Sequence, residues 1–325
     1  FGYTKEETIG QSAEELILPE NVKPDLNKVW TALLDDEGGY RNTNENVTKE
    51  GNLIMCEWYN APLVDRSGQV IGVVSVAEDV TEQKLAEERI LHMAYYDALT
   101  GLPNHTLFQD RLEQECRIAK RNKRFVAVML MDMDNLKTVN DTLGHQAGDL
   151  LLQEVATQLK ESFRASDTVS RFSGDKFAII IPELAKTEDV EHVIQSVRDR
   201  FNAPLIFFEN EFFVTFSIGI SYYPLDDTNA ENLLRNADTA MYHAKDLGRN
   251  NYKNYNIEMT NQANMNLSLM NGLRQAIKEE EFVLYYQPQI DLKSGLMVGV
   301  EALIRWQHTE NGIMSPAQFI PIAEE

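Results

Sequence analysis

Apolar and polar positions change period several times along this chain. In residues 1–80, "TKEETIGQSAEELI" has short helical spacing, and "NLIMCEWYNAPLVD" and "QVIGVVSVAEDV" read as strand runs joined at Arg66-Ser67-Gly68. From Thr81 to Ala94, "TEQKLAEERILHMA" is charged, with Ala86, Ile90, Met93 and Ala94 on one helical face. It reads either as a solvated linker helix or as a short dimeric coiled coil. Residues 95–255 alternate helix with strand. "FVAVMLMDMD" is an unbroken apolar run ending in carboxylates, as a buried central strand requires. "AGDLLLQEVATQLKESF" is an amphipathic helix, with Leu152, Val155, Ala156 and Leu159 on one side. A hairpin "VSRF-SGDK-FAIII", one strand "EFFVTFSIGISYY" and a helix "NAENLLRNADTAMYHAKDLG" ended by Gly248 follow. Residues 256–325 open a third unit, with a helix near Leu267–Glu279 and strands "FVLYYQPQI" and "MVGVEALIRW". The pattern predicts a multidomain α/β chain divided at 1–80, 81–94, 95–255 and 256–325.

Composition adds constraints. The 325 residues are 43% hydrophobic and 25% charged, which suits globular domains. A formal charge of −21 argues against general nucleic-acid binding but leaves room for a local basic pocket. Cys56 and Cys116 offer neither a disulfide framework nor metal spacing, as in a reducing, cytoplasmic setting. No apolar run reaches the ~18 residues of a membrane span. The chain begins at Phe1 and stops in "FIPIAEE", so the expectation is a piece of a longer protein, with any inner-membrane anchor upstream of it.

The candidate chemistry centres on two carboxylates. Asp132 ends the buried strand, and Asp175 lies in the Ser173-Gly174-Asp175-Lys176 turn. Carboxylates from two adjacent strands suit Mg²⁺, which takes hard oxygen ligands and keeps positions open for phosphates. Lys137, Lys245 and Arg249 could neutralise a triphosphate. Asn140 and Asp149 could read a base edge. Each feature alone is common in ordinary turns. Spacing by itself gives a nucleotide-binding α/β domain.

The motifs "DALTGLPN", "DMDNLKTVNDTLGHQAGD", "RASD", "SGDKF" and "KDLGRN" in this order resemble the GGDEF family, diguanylate cyclases that join two GTP into cyclic di-GMP. The resemblance spans about 160 residues and implies a nucleotide-cyclase-like palm that works as a homodimer, the 81–94 helix setting the approach of its two copies. It implies metal binding by Asp132 and Asp175, and guanine contacts from Asn140 and Asp149. Phosphate contacts would come from Lys137, Lys245 and Arg249, with Gly174 close to the nucleotide. Arg164 and Asp167 match the family's RxxD product-inhibition site. The signature itself departs from the family: Ser173 replaces a glycine, and Lys176 replaces the glutamate that helps hold metal and deprotonate the attacking hydroxyl. This implies a cyclase site that has lost its chemistry.

The flanks carry resemblances too. "NGLRQAIKEEEFVLYYQPQIDLKSGLMVGVEALIRW" is similar to the start of an EAL domain, a TIM-barrel-like phosphodiesterase that linearises cyclic di-GMP with Mg²⁺ or Mn²⁺. Glu301 matches its metal-binding and catalytic glutamate, and Leu303, Arg305 and Gln287 match ligand contacts. Such a barrel needs about 250 residues, so the remaining ligands are expected beyond Glu325. Residues 1–80 resemble the second half of a PAS sensor. Its ligand cannot be named, although no histidine precedes His92 to hold haem, and Ala13 stands where flavin-adduct sensors carry cysteine. The expectation is a bacterial PAS–GGDEF–EAL signalling protein that hydrolyses cyclic di-GMP through its EAL domain. The degenerate GGDEF domain would regulate that activity by binding GTP or cyclic di-GMP. A non-catalytic cyclic di-GMP receptor and a still-active cyclase stay open.

Overall fold

The computed structural model describes residues 1–19, 40–207, 210–309 and 312–324. It forms two units, Phe1–Ala94 and Tyr95–Glu325. In the first, the helical stretch divides into α1 (Lys5–Thr8) and α2 (Ala13–Ile17), separated near Gly10, whose φ of 81° a side chain rarely tolerates. Three antiparallel strands follow in spatial order β1 (Tyr40–Val47), β2 (Leu53–Val64) and β3 (Val70–Asp79). The sequence pattern did not announce β1, because "YRNTNENV" alternates polar with polar residues. Its asparagines form a ladder instead. The buried Asn46 donates to the Ile17 carbonyl at 3.2 Å and accepts from Trp58 Nε1 at 3.0 Å. Its burial is therefore offset by hydrogen bonds at both ends of the amide. The helix α3 (Thr81–Tyr95) begins where Asp79 accepts from Thr81 N and Oγ1, and it buries none of its residues.

The second unit is built on a five-stranded sheet of order β10-β9-β4-β6-β5. Its strands are β4 (Phe125–Met133), β5 (Thr168–Ser173), β6 (Lys176–Leu184), β9 (Phe216–Tyr223) and the parallel edge β10 (Tyr252–Asn254). Because β4 is central, both its faces are covered, and the unbroken apolar run follows from that. Ala127, Met129, Met131 and Met133 pack on one side with α6 (His145–Ser162) and α7 (Asp189–Phe201). Val126, Val128 and Leu130 pack on the other with α4 (His105–Asn122) and α8 (Ala230–Asp246). The short α5 (Leu136–Leu143) joins β4 to α6. Both cysteines are free and buried, and burial pushes the Cys116 thiol up to about 11, so it is protonated at neutral pH.

One strand expectation is corrected. "EFFVTFSIGISYY" is not continuous. Its start belongs to β8 (Asn210–Phe212), which pairs with β7 (Leu205–Phe207) in a separate small sheet. Thr215 breaks the run because its carbonyl and hydroxyl are both used by Asp134.

Beyond the sheet, α9 (Ile257–Lys278) starts ten residues before the expected Leu267, capped by Asn256. It packs with α10 (Pro316–Ala323) on a three-stranded sheet of β11 (Phe282–Ile290), β12 (Met297–His308) and β13 (Gly312–Met314). Trp306 centres this small core, wedged between Phe282 and Phe319 and donating to Glu281 at 2.8 Å. Leu284, Tyr286, Val298 and Val300 on the same sheet stay exposed. No helix among the described residues is long and apolar enough to cross a membrane.

Candidate functional site

Strand pairing brings the altered signature to its counterpart. Gly174 and Asp175 form the two-residue turn of the β5–β6 hairpin, with Ser173 opposite Lys176. Gly174 takes φ 53°, so the second glycine position needs its freedom; Ser173 is not among the positive-φ residues, so its Cβ brings no backbone strain. Lys176 also lies directly opposite Asp132 across β4 and β6, so their side chains share the face covered by α8. From that helix, Lys245 Nζ reaches Asp132 Oδ2 at 2.7 Å, and Asp238 Oδ1 accepts from Lys176 Nζ at 2.9 Å. Two ion pairs of opposite sense therefore join one helix to two neighbouring strands.

The electrostatics follow from burial. Asp132 is 3% exposed, and burial pushes its carboxyl above the usual range. Lys245 opposes that rise, while the charge of Asp175 adds to it. Asp134, two residues on, was not singled out from the sequence. Its carboxylate accepts from Thr215 Oγ1 at 2.7 Å, Ser217 Oγ at 2.8 Å and the Asn250 amide at 3.1 Å. These bonds fix the loop that carries Arg249 beside the end of β4. The "DMD" spacing was the available signal, since alternate residues at a strand end face the same side.

Arg171 is the second residue the sequence reading missed. Its Nε and Nη2 donate to the Gly174 carbonyl at 3.0 and 2.8 Å, and its Nη1 donates to Asp97. The hairpin tip is thus braced from "DALTGLPN". Burial works against ionisation of Asp97, but hydrogen bonds from Thr100 and Arg171 outweigh it and hold the carboxyl below its usual range. A carboxylate depressed on folding stabilises the fold above its ordinary pKa, and that contribution is lost as pH falls through the folded value. Asp97→Asn is expected to lose about 1–3 kcal/mol at neutral pH. In urea titrations the gap from the native chain should close as pH drops below ~4; a gap independent of pH would remove the charge argument.

The other sequence candidates lie in three places. Asn140 on α5 packs its amide against Gly148 on α6, next to the exposed Asp149. Lys137 and Arg249 are exposed and form no salt bridge with described residues. Arg164 and Asp167 make a closed turn: Asp167 accepts from the Arg164 amide at 3.0 Å, and the Asp167 amide donates to the Arg164 carbonyl at 2.9 Å. Both line a cleft of about 570 Å³ with Glu183, Asp189 and His192. On the distant sheet, Glu301 faces Gln287 across β11 and β12, while Arg305 lies 5.8 Å over the Tyr285 ring. Leu303 is opposite Tyr285. No three His, Cys, Asp or Glu side chains among the described residues converge on a metal position.

Comparison with known proteins agrees with this geometry. Family models match residues 94–251 as "Diguanylate cyclase, GGDEF domain", 270–325 as "EAL domain" and 1–85 as "PAS fold". Domains of the first two kinds are generally metal-dependent. Pseudomonas aeruginosa MucR, named a bifunctional diguanylate cyclase/cyclic di-GMP phosphodiesterase, is 42% identical over 240 residues, covering 74% of this chain and 35% of MucR. The Escherichia coli cyclic di-GMP phosphodiesterase PdeR is 33% identical over 255 residues, 78% of this chain and 38% of PdeR. The chain thus spans about a third of these curated relatives. The solved GGDEF domain of YfiN (TpbB) from Pseudomonas aeruginosa is 33% identical, with a TM-score of 0.50, covering 51% of this chain and 98% of that domain. The chain belongs to the GGDEF family, with a PAS-fold segment before that domain and the start of an EAL domain after it.

Proposed function

We propose that this chain serves cyclic di-GMP signalling as a nucleotide-binding regulator rather than as a cyclase. The observation that carries this reading is the position of Lys176. An ammonium stands opposite Asp132 where the family has a carboxylate, and it is engaged by Asp238. A general base and a metal ligand are both lost there, while the basic groups that attract phosphate are kept. Lys137, Lys245 and Arg249 take the phosphates of GTP, and Asn140 with Asp149 takes the guanine. Mg²⁺ or Mn²⁺ chemistry belongs to the EAL domain, where Glu301 is a ligand and Gln287, Leu303 and Arg305 contact cyclic di-GMP. The protein works as a homodimer whose copies are set by α3.

A specific observation favours a second ligand. The Arg164 guanidinium makes no ion pair with described residues and lines the 570 Å³ cleft. A guanidinium suits a phosphate or guanine edge, and the neighbouring carboxylates can accept from guanine N–H groups. Calorimetry of the chain with cyclic di-GMP is expected to show saturable binding without turnover. Arg164→Ala should weaken it about tenfold or more, since a charge-assisted contact is lost. Unchanged binding by that variant would remove the cleft from the proposal.

A further inference from the structure

The residues around Asp132 do not fit a divalent ion held between strand and hairpin. Asp132 is already capped by Lys245, and Lys176 occupies the neighbouring position, so two ammonium groups stand where a divalent ion would sit. The charge balance tells the same story. Asp132, Asp175 and Asp238 carry three negative charges and Lys176 and Lys245 two positive ones, a sum of −1. A glutamate at 176 would make four negative charges against one positive, a sum of −3, a deficit that favours a bound divalent cation. Lys176 has therefore changed what the site needs, and not merely removed a base.

The ion pairs also differ in how firmly they are held. The two lysine side chains are similarly exposed, 27% for Lys245 and 30% for Lys176, but the Asp132 side chain is 4% exposed and that of Asp238 53%. An exposed pair is weak and easily exchanged. Lys245 follows Asp238 by seven residues on α8, close to two helical turns, so the helix presents both from one face. Lys176 can leave Asp238 for an incoming anion without disturbing the buried pair. With the exposed Lys137 and Arg249, it adds a further cation for a chain of phosphates.

Resting on the nucleotide-binding reading above, we infer that this site takes its nucleoside polyphosphate without a divalent metal, with the ammonium of Lys176 standing in for the ion. Mg²⁺ then competes with the protein, because it neutralises the phosphates that Lys176 would bind. The inference is tested on the full chain by equilibrium binding of GTP in EDTA and in excess Mg²⁺. The native protein is expected to bind GTP at least as tightly in EDTA as in Mg²⁺. Lys176→Glu should reverse the order, binding about tenfold or more tightly with Mg²⁺. Lys176→Ala should lose affinity in EDTA, with its thermal melting unchanged as the control for folding. Native binding that collapses about tenfold or more in EDTA overturns the metal-free inference while leaving the nucleotide site in place. No GTP binding under either condition overturns the nucleotide reading itself, and the inference with it.

Discussion

Incubated with GTP and Mg²⁺, the native chain is expected to yield no cyclic di-GMP above background, while Lys176→Glu yields it at least about 10²-fold faster. General acid–base help alone is worth about 10²–10⁴ in rate. The substitution returns a carboxylate opposite Asp132 and takes away an ammonium, so the site regains its need for metal and a group able to accept a proton. The remaining architecture is in place to respond. Gly174 still turns the hairpin, Arg171 still braces its tip, and Ser173 adds no backbone strain. Chromatography of the products decides the matter. Comparable product from the native chain would make Lys176 a tolerated variant and the protein a cyclase.

The second large effect is expected from Gly219→Ala. Gly219 lies on β9, where α8 crosses with no room for a side chain. An added Cβ would fall on the Ala237 carbonyl oxygen and the Met241 amide nitrogen, with Met241 Cα only 2.8 Å away. These are backbone atoms of a buried helix and cannot rotate aside. Overpacking of a tight core costs about 1–3 kcal/mol and sometimes more, and the upper end is expected here. Because α8 carries Asp238 and Lys245, both ion pairs to the strands should loosen with it, so nucleotide affinity falls together with stability. Gly148→Ala is the contrasting case. The nearest atoms its Cβ would meet are those of the Asn140 amide, the end of a flexible side chain, and a helical position favours alanine over glycine by about 1 kcal/mol. Urea unfolding of the two variants should therefore show a large loss for the first and little change for the second. Equal losses would mean that backbone contact at Gly219 is not the cause.

Much of the domain was legible in the chain because its signals are local. The run through Met133 reads as a strand covered on both faces, and the Ser-Gly-Asp-Lys turn between two apolar runs as a hairpin. The order of the motifs then pointed to the family and exposed its altered position at Lys176. Polar strands gave no such signal. In β1 the asparagines replace hydrophobic alternation with an amide ladder, whose sense depends on Trp58 and Ile17 being near. Thr215 looked like part of a strand until its hydrogen bonds to Asp134 ended the run.

By itself, then, the sequence determined the apolar elements of the GGDEF domain, the hairpin, the family and the residue types gathered around Asp132. The tertiary structure decided their partners. Lys176 and Asp238 are 62 residues apart, Arg171 and Asp97 are 74 apart, and Asp134 and Asn250 are 116 apart. Period and propensity act over a few residues, whereas these contacts depend on sheet order and on the helix covering each face. Several carboxylates compete for each lysine and arginine, and only the packed backbone fixes which ones come within reach.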